Sequence, residues 1–127
     1  MKDVQGKVAF ITGGASGMGL GMARAFSAAG MKVMIGDIEE EPMNRAVAEI
    51  NDAGGDAAGV KVDVTQLESV SEAGIATTEK FGKVHVICNN AGIGVGGKCE
   101  TASMPNWKWV TDVNMWGVLP WRRRPCG

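Results

Sequence analysis

Thr12, Gly13, Ser16, Gly17, Met18 and Gly19 belong to a turn with the spacing T-G-x-x-x-G-x-G. An apolar run, Val8 to Ile11, precedes it. A segment rich in small residues, Leu20 to Ala29, follows it. The glycines therefore sit where a strand passes into a helix. A helix start offers unpaired N–H groups and partial positive charge to an anion. Glycine lets the backbone approach a phosphate because no Cβ intervenes. A nucleotide pyrophosphate is the natural ligand of such a turn. The G-x-G-x-x-G fingerprint is not matched, because Met22 stands where its third Gly would be. Taken alone, the cluster is also what a tight ligand-free turn between a strand and a helix requires.

Four further groups of residues carry polar chemistry. Asp37 closes the apolar run Lys32 to Gly36. Asp63 and Val64 close an alternating run from Ala58. Asn89, Asn90, Ala91 and Gly92 follow the apolar run Val84 to Cys88. Trp107, Val110 and Asn114 fall at i, i+3 and i+7, so Asn114 stands on an otherwise apolar helix face. A buried amide must find partners there, either backbone in a structural role or a reacting system.

The elements that position these groups alternate. Met43, Ala46, Val47, Ile50 and Ala53 fall on one helical stripe, preceded by Glu39, Glu40, Glu41 and Pro42, which suit a helix start. Ala58, Val60, Val62 and Val64 read as a half-exposed strand at a sheet edge. Thr65 to Glu68 has a capping-box pattern, with Leu67, Val70, Gly74, Thr77 or Thr78, and Phe81 on one face of the helix it opens. Val84 to Cys88 reads as a strand buried on both faces, with His85 structural within it. A glycine-rich loop runs to about Gly97, and Ser103 with Pro105 opens a last helix. Gly30, Gly54 with Gly55, and Gly82 stop the three earlier helices. The order β-α-β-α-β-α-β-α implies an open, doubly wound parallel sheet. Ligands of such sheets bind at the carboxyl ends of the strands, where all the strand-end groups above converge.

Composition narrows the class. The chain has 127 residues, 13 Lys plus Arg and 14 Asp plus Glu. That length suits one domain, and the charge balance does not suggest nucleic acid. No apolar stretch approaches the ~18 residues of a membrane span. Residues 1–6 lead directly into the first strand, so no signal peptide is expected. Cys88, Cys99 and Cys126 lack metal-ligand spacing and are expected to be reduced thiols in the cytoplasm, with no metal site.

At residues 4–119 the chain resembles the short-chain dehydrogenase/reductase family. The resemblance rests on Thr12-Gly13-x-x-x-Gly17-x-Gly19, Asp63-Val64, Asn89-Asn90-Ala91-Gly92 and Asp112-Val113-Asn114. It implies a Rossmann-like α/β fold and NAD(P)-dependent hydride transfer between an alcohol and a carbonyl. It implies that Gly13, Gly17, Met18 and Gly19 border the pyrophosphate, with Thr12 and Ser16 in the same turn. Asp37 would accept from the adenosine ribose hydroxyls. Asp63 would meet the adenine amino group, with Val64 against the ring. Asn90, Ala91 and Gly92 would line the cofactor, and Asn114 would be the asparagine that holds a water in the proton relay. Trp107 and Trp109 are expected to pack the helix or face solvent. Asp37 predicts NAD over NADP.

The chain departs from the family in one large respect. The family's reaction needs a Ser and a Tyr-x-x-x-Lys, and this sequence has no tyrosine and no Lys after Lys108. The expectation is therefore a sheet truncated after its fourth strand and following helix, inactive by itself. A small-molecule alcohol or carbonyl substrate and a homo-oligomeric state would belong to the full-length parent, with neither nucleic acid nor membrane as partner. A non-catalytic dinucleotide-binding module and a non-functional fragment are the alternatives. Residues 1–119 are expected to form a partial cofactor-binding domain. Residues 120–127, with three consecutive arginines, are expected to be an aberrant tail written by a one-base insertion near Pro120. A basic tail for anionic partners is the other reading.

Overall fold

The computed structural model describes residues 3–92 and 104–116. β1 (Val8–Thr12) is buried at all five positions. Successive residues of a strand face opposite sides of a sheet, so β1 needs cover on both. One side holds Ile11 with Val33 and Ile35 of β2 (Lys32–Asp37). They pack on Ala23 of α1 (Gly17–Ala28) and on Met43, Ala46 and Ile50 of α2 (Glu40–Asp52). The other side holds Phe10 and Met34, which pack with Val62 on Val70 and Ala73 of α3 (Leu67–Phe81).

β3 (Asp56–Lys61) pairs with β2, and β4 (Val86–Cys88) pairs with β1, all in parallel. The order is β3-β2-β1-β4. From β1 the chain winds outward through β2 to β3, then returns to place β4 on the other flank of β1. The switch point thus lies between β1 and β4, where the crossovers diverge and leave a crevice at the strands' carboxyl ends. Further along the chain come α4 (Met104–Thr111) and a π-helical turn, Asp112–Trp116. The doubly wound parallel sheet read from the sequence is the one observed. Gly30 has φ +92° after the last turn of α1, a conformation that residues with a Cβ avoid.

Several local expectations are corrected. α1 begins at Gly17 rather than Leu20, so two motif glycines lie in its first turn. Thr65 does not cap α3: its N–H and Oγ1 both donate to Asp63 Oδ1, at 3.0 and 2.6 Å. The helix starts at Leu67 after Gln66, without a side-chain cap. A charged carboxylate two residues back is the stronger acceptor, and it draws the hydroxyl away from the helix. Leu67 is 66% exposed; the buried face of α3 is Val70, Ala73 and Thr77 instead.

β4 is shorter than its apolar run and only half-buried, because it is an edge of the described sheet. His85 lies just before it rather than within it. Its Nδ1 accepts the Val8 N–H at 2.9 Å, while its own backbone N–H donates to the Val8 carbonyl at 2.9 Å. The imidazole thus takes the place of a ladder carbonyl, a structural role. Partial desolvation, then the charges of Lys7 and Lys83, lower its pKa.

The loop to Gly97, Ser103, Cys99 and residues 120–127 with Cys126 lie outside the described residues. So do the side chains of Trp107 and Val110, and with them the expected apolar stripe.

Candidate functional site

The centre of the site is a hydroxyl at the switch point. Thr12 ends β1 and is 1% exposed. Its Oγ1 accepts the N–H groups of Asn90 and Ala91 at 3.0 and 2.9 Å and donates to the Cys88 carbonyl at 3.4 Å. One side chain therefore bonds three backbone groups where β4 runs out of ladder, and the Asn90 N–H also donates to the Cys88 carbonyl at 2.9 Å. Asn90 completes the tie by donating from Nδ2 to the Gly13 carbonyl at 3.1 Å. The glycine turn and the loop after β4 are thereby held as one unit. Burial raises the pKa of the Cys88 thiol.

The glycine turn is shaped by contact and by backbone conformation. Gly13 has φ +66°, and a Cβ there would come within 3.1 Å of the Asn90 amide nitrogen and the Ala91 Cα. A Cβ on Gly19 would overlap the Gly13 carbonyl oxygen. Gly17 has φ +55° with open space where its Cβ would stand. Ser16 precedes α1 but makes no side-chain cap, and no acidic residue occupies the first turn. The positive end of α1 is thus left without a carboxylate of its own helix, as an anion site requires.

Asp37 joins this turn to the next. Its Oδ2 accepts the Ala15 N–H and its Oδ1 the Glu39 N–H, both at 3.1 Å. The Gly36 carbonyl accepts the Gly13 N–H at 2.7 Å. Gly36 is small because the ring of Phe10 fills the space: a Cβ would lie 2.9 Å from it. At the end of β3, Asp63 holds Thr65 with one carboxylate oxygen, and its backbone N–H donates to Ser69 Oγ at 2.9 Å. Val62 and Val64 beside it are buried.

These strand ends enclose one cleft of about 630 Å³. Of the residues singled out in the sequence, Gly13, Ser16, Asp37, Asp63, Val64, Asn90, Ala91 and Gly92 line it. Thr12 lies beneath it as a buried tie, and Gly19 packs behind Gly13. Met18 is 79% exposed and, with Gly17, is not part of the lining. Asn114 sits at the cleft's edge in the π-helical turn: a Cβ on Gly92 would be 3.3 Å from its Oδ1. A π turn inside a helix often marks a functional position.

Sequence reasoning missed Gly36, Ile38 and Glu39 around Asp37, Val62 and Thr65 around Asp63 and Val64, and Trp109 and Val113 from the last helix. Ile38 and Glu39 directly follow a chosen residue, so the strand end itself was the available signal. Trp109 and Val113 are four residues apart, one face of a helix, but nothing local shows that this face meets the cleft. A second hollow of about 460 Å³ lies between α1 and α2. It is bordered by the Arg24–Glu49 pair, joined by bonds of 2.8 and 2.7 Å, and by no strand end.

Fold and cleft together define an open doubly wound α/β protein with a cleft at the switch point. Residues 7–123 match the family model for short chain dehydrogenases, and the chain belongs to that family. Over 114 residues it is 44% identical to a 2,5-dichloro-2,5-cyclohexadiene-1,4-diol dehydrogenase of Sphingobium indicum, covering 90% of this chain and 46% of that one. It is 42% identical over 114 residues to a 3-alpha-(or 20-beta)-hydroxysteroid dehydrogenase of Mycobacterium bovis, covering 90% and 43%. A crystal structure of a short chain dehydrogenase/reductase from Burkholderia phymatum in complex with NAD superimposes with a TM-score of 0.91 at 40% identity, covering 94% of this chain and 43% of that one. The chain spans less than half the length of each of these three proteins.

Proposed function

We propose that this chain is the nucleotide-binding part of an NAD-dependent dehydrogenase or reductase of small alcohols or carbonyls. The observation that carries the reading is the joining of four strand ends in one cleft: the glycine turn, Asp37, Asp63–Val64 and Asn90–Gly92. A dinucleotide fits the residues present. Gly13 and Gly17 leave the turn without side-chain bulk, α1 has no cap of its own, and Asp37 lines the cleft. In this reading the glycine turn receives the pyrophosphate, Asp37 the ribose hydroxyls, and Asp63 with Val64 the base. Asn90, Ala91 and Gly92 flank the remainder, and Asn114 at Gly92 orients a water. The bound cofactor supplies the hydride acceptor or donor; the chain's own part is to bind and orient it.

Asp37 also supports NAD over NADP. A 2′-phosphate would stand against its carboxylate and Glu39, and no Lys or Arg lines the cleft among the described residues. Two unit charges ~4 Å apart at an effective dielectric of ~20 interact by about 4 kcal/mol. Solvent and salt reduce that figure, but ~1.4 kcal/mol already corresponds to tenfold. Titration of the chain with NADH and NADPH tests the reading. The expected result is NADH binding at least about tenfold tighter; equal affinities would refute the role of Asp37, and no binding of either would refute the cofactor site.

One observation favours a second reading for the chain alone. It has no tyrosine, and in the family a Tyr serves as the proton donor, lowered in pKa by a Lys. The chain by itself is then a binding module without turnover. Steady NADH consumption with a carbonyl substrate would overturn that.

A further inference from the structure

We infer that Trp109 forms the outer wall of the base end of the cleft, where its indole packs on the purine of the dinucleotide. This rests on the reading of the cleft as a dinucleotide site. Trp109 and Val113 both line the cleft, one helical turn apart on the last helix. The other apolar side chains that line it are Ile38 after β2 and Val62 and Val64 after β3, with the small Ala91 after β4. The remaining lining is glycine backbone or polar side chains. A flat, neutral, aromatic base finds its apolar surfaces only among these residues, whereas phosphates and ribose hydroxyls are matched by the glycine turn and Asp37. Trp109 supplies the only aromatic face among the described lining residues. It is 52% exposed, so an indole surface is open for a ring to cover. Every base has a π face, and stacking on Trp needs no hydrogen-bond match.

Calorimetric titration of the chain, Trp109→Ala and Trp109→Phe with AMP, pyrophosphate, nicotinamide mononucleotide and NADH tests this, with circular dichroism to confirm the fold of each variant. Trp109→Ala is expected to weaken AMP and NADH by about tenfold and leave pyrophosphate unchanged. Trp109→Phe, which keeps a ring, should retain AMP affinity to within about threefold. Equal AMP affinity in all three proteins overturns the assignment of Trp109 while leaving the dinucleotide site in place. Parallel loss of AMP and pyrophosphate also overturns it, because Trp109 would then act by holding the helix. Loss confined to nicotinamide mononucleotide overturns it too, by placing the indole at the other end of the cleft. Failure of the unmodified chain to bind AMP or NADH removes both the dinucleotide reading and this inference.

Discussion

The Asp37 carboxylate at the end of β2 holds the Ala15 N–H of the glycine turn at 3.1 Å through Oδ2. The same carboxylate takes the Glu39 N–H through Oδ1. It therefore sets the relative positions of two loops and also lines the cleft between them.

Replacing Asp37 acts on both roles. Hydrogen bonds to a charged group contribute about 1.5–3 kcal/mol, so Asp37→Ala should weaken NADH binding by at least about tenfold. It should also narrow the preference for NADH over NADPH. Asp37→Asn keeps the shape and one of the two acceptor oxygens but removes the charge; it should narrow the preference while losing less affinity. Parallel titrations with both cofactors check this. An unchanged preference in both variants would show that the carboxylate does not face the 2′ position.

Thr12 makes a different prediction, about the frame. Thr12→Val preserves the shape but removes the acceptor of the Ala91 N–H and leaves the Asn90 N–H with the Cys88 carbonyl alone. Buried unsatisfied donors cost about 1–3 kcal/mol each. The urea midpoint should fall, and protection of the Ala91 amide against hydrogen exchange should drop more than that of Asn90, which keeps the Cys88 carbonyl. Thr12→Ser keeps the oxygen and should retain most of that protection.

The glycines of the turn are not equivalent. Gly19→Ala drives a Cβ into the Gly13 carbonyl; overpacking of this kind costs about 1–3 kcal/mol and should displace the turn, so stability and NADH affinity fall together. Gly17→Ala meets no atom and is opposed only by φ +55°, a penalty of about 1 kcal/mol. Denaturant melts of the two variants should rank in that order, and the reverse order would contradict the geometry.

His85 makes stability pH-dependent. Its folded pKa lies below the ordinary 6.5 because of partial desolvation and the charges of Lys7 and Lys83, and its Nδ1 must be unprotonated to accept the Val8 N–H. The unfolded chain therefore binds the proton more readily than the folded one. The contribution is complete above about pH 6.5 and is lost as pH falls from there through the lower folded value. A series of urea midpoints from about pH 8 to about pH 5 should decline across that window. In His85→Gln the part of the decline due to this group should vanish; an identical profile would assign the slope to other residues.

The amino-acid sequence alone carried the alternation of strands and helices, and hence a parallel sheet wound in both directions. It did so because the signals are local: apolar runs such as Val8–Ile11, the stripe Met43, Ala46 and Ile50, and glycines just past helix ends. That the strand-end residues would line a cleft was legible for the same reason, since a crevice at the carboxyl ends follows from the topology. Local pattern failed where a distant or stronger partner competed. Thr65 looked like a cap until Asp63 claimed its hydroxyl. Leu67 fitted a helix stripe but lies beyond the surface that Phe10 and Met34 cover. Three features were decided by tertiary structure alone: the joining of Thr12 to Asn90, 78 residues away, the use of His85 as a ladder acceptor for Val8, and the arrival of Trp109 and Val113 at a cleft built by β1 to β4. Each depends on elements adjacent in space but far apart in the chain, and spacing within one element carries no information about that.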